Sequence, residues 1–563
     1  MTNADVIEML EQTVRLLDLH DADPFRTKAF SSAAFNLDKQ KDDFTGLTTA
    51  ELTQLPGVGK SVAGKIRGII DTGHLPELDT LLTQTPVGVL AMFRIKGLGA
   101  KKIKVLWREL GVENLPDLKT ACEAGRVATI KGFGANTQSK ILHALEFLQS
   151  QQGKLRMDKA RQVAEALRNQ LTLLFGRVEI GGQVRRMAQE VDLVELLIES
   201  DDPLAVQRQL DALPGLAKNE AESSPFVWRG TNENPVVAVE FATYPRETVE
   251  RQLFISTPGP AHLAHVGPAG VSLLRAALTS PDASETAIYA AAGLPYIVPE
   301  MREDAGAFAW ASQHTPAELI TWDDLRGTLH NHSTYSDGRH TLEQMATYAR
   351  SLGLSYFGIA DHSQTATYAQ GLKVDDVRQQ HAEIDRLNAQ FGPDFQILKG
   401  IESDILGDGS LDYDNETLAS FDYVVASVHQ TLTMTKEKAT ARLLRAIENP
   451  YTTVLGHPTG RLLLAREGYP IDYQEIIQAC AKHNVVIEIN ASPYRLDLDW
   501  HWINYAQEQG VMLSINPDAH EMAGLLDMHY GVAVGRKGGL LKTMTFNALT
   551  LSAIQAYLIK KKD

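Results

Sequence analysis

At 563 residues the chain is too long for one hydrophobic core, and three or four domains are expected. Two cysteines exclude a disulfide framework, no apolar run of about 18 residues offers a membrane span, and the polar start MTNADVIEML lacks the features of a signal peptide, so a cytoplasmic protein with no membrane partner is expected. The net charge of −16 argues against nucleic acid only if evenly spread, and residues 1–150 are neutral, with 18 Lys+Arg against 18 Asp+Glu, which leaves room for a phosphate-binding surface.

Residues 1–150 read as short helices separated by Gly-rich turns. VIEMLEQTVRLLDLH has its apolar residues at helical spacing. LPGVGKSVAGKI (55–66) sets Gly57 and Gly59 one residue apart, followed by Lys60 and Lys65. IKGLGAKKIKVLW (95–107) repeats the turn with Gly97 and Gly99, and IKGFGANTQSKIL (130–142) with Gly132 and Gly134. Such glycines let backbone approach a phosphate, and the helix that follows offers free N–H donors. The segments are predicted helix-hairpin-helix motifs that hold the DNA backbone without reading sequence. The second is the most basic: Arg94, Lys96, Lys101, Lys102, Lys104 and Arg108 face only Glu109. One Gly-x-Gly turn would suit any helix pair; three copies with following lysines carry the expectation.

From about 155 to 250 strands are predicted at RVEIGG, VDLVELLIES and VVAVEFAT, with a helix at RMDKARQVAEALRNQL. An Ala/Pro/Gly-rich stretch covers 257–315. From 325, short apolar strands alternate with helices: YFGIAD, QILKGIESDI, DYVVASVHQ, TVLGHP, VVIEIN and VMLSIN. This pattern predicts a barrel of the β/α kind.

Those strands end in metal-ligating residue types. LHNHSTYSDG supplies His330, His332 and Asp337; later segments supply Asp361 and His362, Glu402, His429, His457, and Asp518 with His520. Active sites of such barrels gather at the C-terminal strand ends, so these scattered groups can converge. Neutral imidazoles with carboxylates suit Zn²⁺, Mn²⁺ or Fe²⁺, and a carboxylate such as Glu402 can bridge two ions. A lone histidine is more often an ordinary one, the reading given to His340, His483 and His529. Arg461 and Arg495 follow strand ends, where a guanidinium can grip a phosphate; a surface or structural arginine is the alternative. Asn490 is expected to orient a ligand.

RGTLHNHSTYSDG, IADHS, GIESDI, SVHQ, GHPTGRLL, EINASPYRLDL and DAH resemble the PHP (polymerase and histidinol phosphatase) domain, and more narrowly the one at the C-terminus of bacterial family X DNA polymerases. The resemblance implies a distorted (β/α)7 PHP barrel over 322–563 with two or three divalent ions, Mn²⁺ or Zn²⁺. It would place His330, His332, Glu402 and Asp518 on a first metal, Glu402, His429 and His457 on a second, and Asp337, His362 and His520 on a third. Glu402, Asp518 and Arg461 are the expected catalytic residues.

Upstream, DPFRTKAFSSAA and the hairpins resemble the lyase-type domain of the same polymerases. The implied organisation is a multidomain α/β chain: a helix-hairpin-helix lyase-type domain (1–85), a helix-hairpin-helix fingers-like domain (86–152), and an α+β nucleotidyltransferase-like palm and thumb (153–315) before the barrel. Lys65 matches the Schiff-base lysine of lyase members, with a phosphate-binding or solvated lysine as the alternative. In GGQVRRMAQEVDLVELLI, Arg185 and Arg186 fit the palm signature but Gln183 replaces its serine. The Asp-x-Asp pair becomes Leu193-Val194-Glu195, with Asp192 one residue early, and Glu240 stands for the third aspartate. Leucine cannot bind Mg²⁺, so the palm is expected to have lost templated synthesis.

The expected function is a DNA-repair phosphoesterase, a 3′→5′ exonuclease acting through the PHP site, with 3′-end processing or abasic-site cleavage as further activities. Its partner is expected to be gapped or 3′-ended DNA, and its state a monomer. The rivals are an active family X polymerase using Asp192, Glu195 and Glu240 in a shifted register, a small-molecule phosphatase, and a non-catalytic DNA scaffold.

Overall fold

The structure is a computed structural model that describes residues 1–40, 43–95 and 97–562, without the side chains of Ala4 and Lys562. Lys96 of the second hairpin lies outside the described residues. The chain divides into two compact units, Met1–Gln152 and Gly153–Asp563.

The first unit is helical. Asn3–Leu19 opens with a capping box between Thr2 and Asp5, which satisfies two otherwise orphaned N–H groups. Val6, Leu10 and Leu17 of this helix are buried with Phe30, Ile66, Ile103, Leu106 and Leu145 in one core. The segments 1–85 and 86–152 therefore share their apolar interior. Periodicity marks the apolar face of each helix but not which helix covers it.

The second unit begins with the segment expected to form a palm. A ribbon pairs β1 (Leu155–Arg156) with β3 (Glu190–Val191). A five-stranded sheet is built from β2 (Val178–Ile180), β4 (Leu193–Glu199), β5 (Leu216–Lys218), β6 (Val227–Glu233) and β7 (Val236–Tyr244), in the order 2-4-7-6-5. The central pair β4–β7 is parallel, and Glu195 stands opposite Glu240. β5 and β6 were not anticipated, because LAK and VWRGTNE lack an apolar alternation. A separate helical core gathers Phe254, Leu273, Tyr289 and Trp310.

Seven parallel strands follow: β8 (Gly327–Thr328), β9 (Tyr356–Ile359), β10 (Gln396–Asp404), β11 (Tyr423–Ser427), β12 (Thr452–Leu455), β13 (Val486–Asn490) and β14 (Leu513–Asn516), each beside its sequence neighbour. Buried on both faces, they read as near-continuous apolar runs. The ends of the sheet meet where His332 N–H donates to Ala519 O (2.8 Å) and Asp518 N–H donates to His330 O (3.1 Å). Tyr423 fills the barrel beside Gly358 and Gly400, where a Cβ would come within 2.3 and 2.2 Å of its side chain. Phe546, Ile554 and Leu558 pack with Tyr356 and Tyr423 in the inner core. Among the described residues no helix is long and apolar enough to cross a membrane.

Candidate metal centre

Nine predicted ligands meet at the C-terminal mouth of the barrel, as strand ends converge there. Glu402, fully buried within β10, is at the centre. Its Oε1 lies 3.2 Å from His330 Nε2, 3.1 Å from His429 Nε2 and 2.9 Å from His457 Nε2; its Oε2 lies 2.9 Å from His362 Nδ1. Asp518 Oδ1 is 3.0 Å from His332 Nε2 and 3.6 Å from His330 Nε2. Asp337 Oδ1 is 3.4 Å from His520 Nε2 and 3.6 Å from His362 Nε2, on the more exposed side of the ring.

These atoms form four groups in which every potential donor lies within 4.8 Å of the others: His332, Asp337, His362 and His520; His330, His332 and Asp518; His330, Glu402 and His457; His362, Glu402 and His429. His429 and His457, expected on one metal, fall in separate groups that Glu402 joins. His340 and His529 lie outside all four; His529 stacks on Trp322 at 3.9 Å.

The donor set fits divalent cations. His330 Nε2, His332 Nδ1, His362 Nδ1 and Glu402 Oε2 are buried without a hydrogen bond, a costly arrangement unless a cation takes their lone pairs. Burial opposes the charge on Glu402, but the facing imidazoles of His429, His330 and His362 outweigh it and hold the carboxyl well below its ordinary value. Burial, with His520 and His362 beside it, presses His332 down to about 3, so its imidazole is neutral. Ligation requires an ionised carboxylate and neutral imidazoles, so His330, raised against its burial by Glu488 and Glu402, and His429, raised against its burial by Glu402 and Asp404 to about 10, must each release a proton when a cation binds.

Outer partners aim the ligands. Glu488 Oε1 lies 2.7 Å from His330 Nδ1, Asp404 Oδ1 lies 2.5 Å from His429 Nδ1, and the Asp518 carbonyl lies 3.0 Å from His520 Nδ1. Each leaves the other ring nitrogen facing the cluster. Asn490 Nδ2 donates to Asp518 Oδ2 at 3.1 Å, as an orienting residue should. Sequence reasoning missed Glu488 and Asp404. A carboxylate inside the apolar run VVIEIN, and a second one two residues after Glu402 on the same face of its strand, were the available signals. Asp361, a candidate at a strand end, instead accepts from Ser333, Ser336 and Gln380 and braces the loop that carries Asp337.

Arg461 is a correction. Its Nε donates to Arg495 O at 2.9 Å, its Nη1 binds Asp499 Oδ2 at 2.5 Å, and its Nη2 donates to Leu496 O. The guanidinium is spent on holding the 495–499 loop. Arg495 on that loop reaches the cluster, with Nε 3.5 Å from Asp518 Oδ2. Arg495→Ala is therefore expected to lower phosphoester turnover by about 100-fold, the scale of one lost charge-stabilising donor. Arg461→Ala should lower it less while reducing the melting temperature; steady-state rates and calorimetry on both variants check this.

In the first unit, Gly59 and Gly99 are extended N-caps of Lys60–Thr72 and Ala100–Leu110, and neither helix start has a side-chain cap. Their first N–H groups are open to an anion. A Cβ at Gly97 or Gly99 would meet nothing, whereas one at Gly57 would lie 2.3 Å from Asn36. The third turn differs: Gly134 has φ +65° and itself begins the helix, so it does not repeat the first two. Lys60 and Lys101 are exposed, and Lys102 Nζ donates to Gly97 O at 3.2 Å. Lys65 is ion-paired with Glu77 and sits 4.5 Å from the Phe30 ring centre. Both contacts engage the amine within this unit.

The palm carboxylates do not converge: among the described residues they form no group of three potential ligands. Asp192 is exposed just before β4, and Gln183 Oε1 accepts from its N–H (2.9 Å) and that of Leu193 (3.2 Å). Arg229 Nε binds Glu240 Oε2 at 2.7 Å. Arg185 is tied to Glu285 at 2.7 Å and Arg186 to Glu303 at 3.0 Å. Glu195 packs over Gly182, where a Cβ would lie 1.6 Å from its Oε2. Burial first, then Glu240, raises Glu195 from 4.5 to about 7, against Arg186 and a Gln183 N–H that lower it; Asp192 adds to the rise. The folded state thus keeps a proton that the unfolded chain releases above its ordinary value, so this site loses stability as pH rises between about 4.5 and 7. Glu195→Gln is expected to stabilise the protein at pH 8 by on the order of 2 kcal/mol and to have little effect near pH 4.5; melting curves at both pH values test this.

The barrel with its ring of imidazoles and carboxylates defines the C-terminal region as a PHP-type phosphoesterase domain, a class that uses divalent metals, and the PHP domain family matches residues 328–492. A helix-hairpin-helix domain matches residues 1–75 and a SAM-like helix-hairpin-helix tandem matches 89–146. The DNA polymerase/3′-5′ exonuclease PolX of Bacillus subtilis (strain 168) is 34% identical, covering 100% of both chains. The chain belongs to the PolX family. Proteins named as probable phosphatases match only part of the chain: one from Thermoanaerobacter sp. (strain X514), 29% identical over 30% of this chain and 69% of its own, and one from Vibrio atlanticus (strain LGP32), 28% identical over 35% and 79%.

Proposed function

We propose that the chain is a metal-dependent 3′→5′ exonuclease of DNA repair, working at the barrel mouth. The observation that carries this is Glu402, a buried carboxylate facing four imidazole nitrogens at 2.9–3.2 Å, an arrangement suited to bridging two cations. Divalent ions there, Mn²⁺ or Zn²⁺, supply Lewis acidity toward phosphate and an activated water at neutral pH. His330, His332, Asp337, His362, Glu402, His429, His457, Asp518 and His520 hold them. Glu488, Asp404 and Asn490 keep the ligands aimed. Arg495 neutralises a non-bridging phosphate oxygen.

The first two hairpins hold the DNA backbone of a gapped or 3′-ended substrate through open helix N-termini and through Lys60, Lys101 and Lys102. A monomer suffices for this reading, and the cytoplasm is the compartment where it has a substrate. Templated synthesis is not part of it. Replacing Lys101 and Lys102 together by alanine is expected to flatten the salt dependence of DNA binding by about 0.9 in logarithmic slope per lost phosphate contact.

A 5′-labelled single-stranded oligonucleotide incubated with Mn²⁺ or Zn²⁺ tests the proposal. Shortening from the 3′ end, lost in His332→Ala, is expected. An intact oligonucleotide beside rapid turnover of a sugar phosphate would favour the phosphatase reading.

A further inference from the structure

Tyr368 is the feature that neither the fold nor the ligand cluster accounts for. It lies on the 3-10 turn Thr367–Ala369, between β9 and the helix Val374–Phe391. Its neighbours are fixed. Ala366 N–H donates to Ser363 O, and Ala369 N–H and Gly371 N–H donate to Ala366 O, all at 3.0 Å; Leu372 N–H donates to His362 O at 2.8 Å. Thr365 Oγ1 binds Asp404 and Asp412 at 2.8 and 3.0 Å. A Cβ on Gly371 would lie 1.8 Å from Ser363 O, so only glycine closes this turn. Ala366, Ala369 and Leu372 are buried, yet Tyr368 between them is 63% exposed.

A bulky ring left in solvent on a rigid turn gains little from folding. Its position supplies a reason. The ring centre lies 6.2 Å from that of His362, tilted by 56°, and the neighbouring Thr365 hydroxyl binds Asp404, which also holds His429. Tyr368 therefore stands over the rim of the ligand ring, beside the place where a phosphate must sit. The group attached one nucleotide beyond a phosphate cut from the 3′ end is the terminal base. Every base has a flat π face, and aromatic side chains stack on bases without regard to sequence.

We infer that Tyr368 is a stacking platform for the 3′-terminal nucleobase of the strand being cut, a role that deepens the exonuclease reading and rests on it. The platform sets the terminal phosphodiester in register with the ligand cluster, and prefers a base-bearing end to a bare sugar.

The test uses the full chain and an oligonucleotide whose 3′-terminal base is 2-aminopurine, joined through a non-hydrolysable phosphonate. Stacking quenches its fluorescence. Quenching is expected at saturation with the wild type and with Tyr368→Phe, and its loss with Tyr368→Ala, with binding weakened by about tenfold. In turnover, Tyr368→Ala should raise KM more than it lowers kcat. The preference for a base-bearing over an abasic 3′ end should fall by about tenfold. Unchanged quenching in Tyr368→Ala, an unchanged preference, or equal damage from phenylalanine and alanine overturns the assignment. If the wild type cut neither substrate, the exonuclease reading would fail while the fluorescence still decided whether Tyr368 stacks a base.

Discussion

Glu402→Gln is expected to abolish phosphodiester hydrolysis and to release bound metal together. An amide keeps the size and one acceptor of the carboxylate but loses its charge, and four imidazole nitrogens face that group at 2.9–3.2 Å. With the charge gone, the buried site would lose the negative group that offsets the charge of divalent cations and would hold them less tightly. The comparison that isolates this is Glu488→Gln, which touches His330 Nδ1 and the His457 N–H without facing the cluster centre. That outer change should cost about 10- to 100-fold in activity or affinity. The loss from Glu402→Gln should exceed about 100-fold, beyond the range of an outer partner. Metal content by atomic emission, measured beside exonuclease rate, separates the two. If Glu402→Gln retained its metals and half its activity, the bridging role would be wrong.

The centre was legible for a physical reason. Parallel strands buried on both faces read as apolar runs, so a histidine or acid in or just after each run stands out, and nine of the ten candidates meet, Asp361 alone being turned to Ser333, Ser336 and Gln380. What failed to show depends on irregular backbone. Arg461 and Arg495 both follow strand ends, and nothing in their spacing says that one turns into the 495–499 loop while the other turns toward Asp518. Leu496, at φ +45°, lies in that loop, where neither helical nor strand periodicity applies. Tyr368 was hidden likewise on a single short turn. The third Gly-x-Gly matched the first two in spacing, yet Gly134 adopts a backbone that Gly59 and Gly99 do not. The palm strands with apolar alternation were visible; the polar β6 was seen only once paired with β7.

No primer extension is expected from the exonuclease-inactive variant Asp518→Ala supplied with a primed template, four deoxynucleotides and Mg²⁺ or Mn²⁺. That background matters, because trimming by the wild type would erase weak synthesis. Two-ion nucleotidyl transfer needs carboxylates that aim oxygens at shared positions. Here Leu193 presents none, and Asp192 is exposed ahead of the strand. Glu195 and Glu240 are neighbours in register, but Arg229 neutralises the second. Burial, with Glu240 beside it, instead raises Glu195 to about 7, so near neutral pH it is divided between acid and carboxylate. Arg185 and Arg186 are bound to Glu285 and Glu303. Glu303 also binds Lys537 of the barrel at 2.8 Å, and Gln189 Nε2 donates to Leu496 O of the 495–499 loop at 3.3 Å. Gln189, close in sequence to the arginines that a polymerase would use for a triphosphate, thus braces the loop that carries Arg495. Extension by even a few nucleotides would require the Arg229–Glu240 and Arg186–Glu303 pairs to open, and would sink this account of the palm. Its absence, together with slower exonuclease turnover in Gln189→Ala, is the outcome that a palm retained as a brace demands.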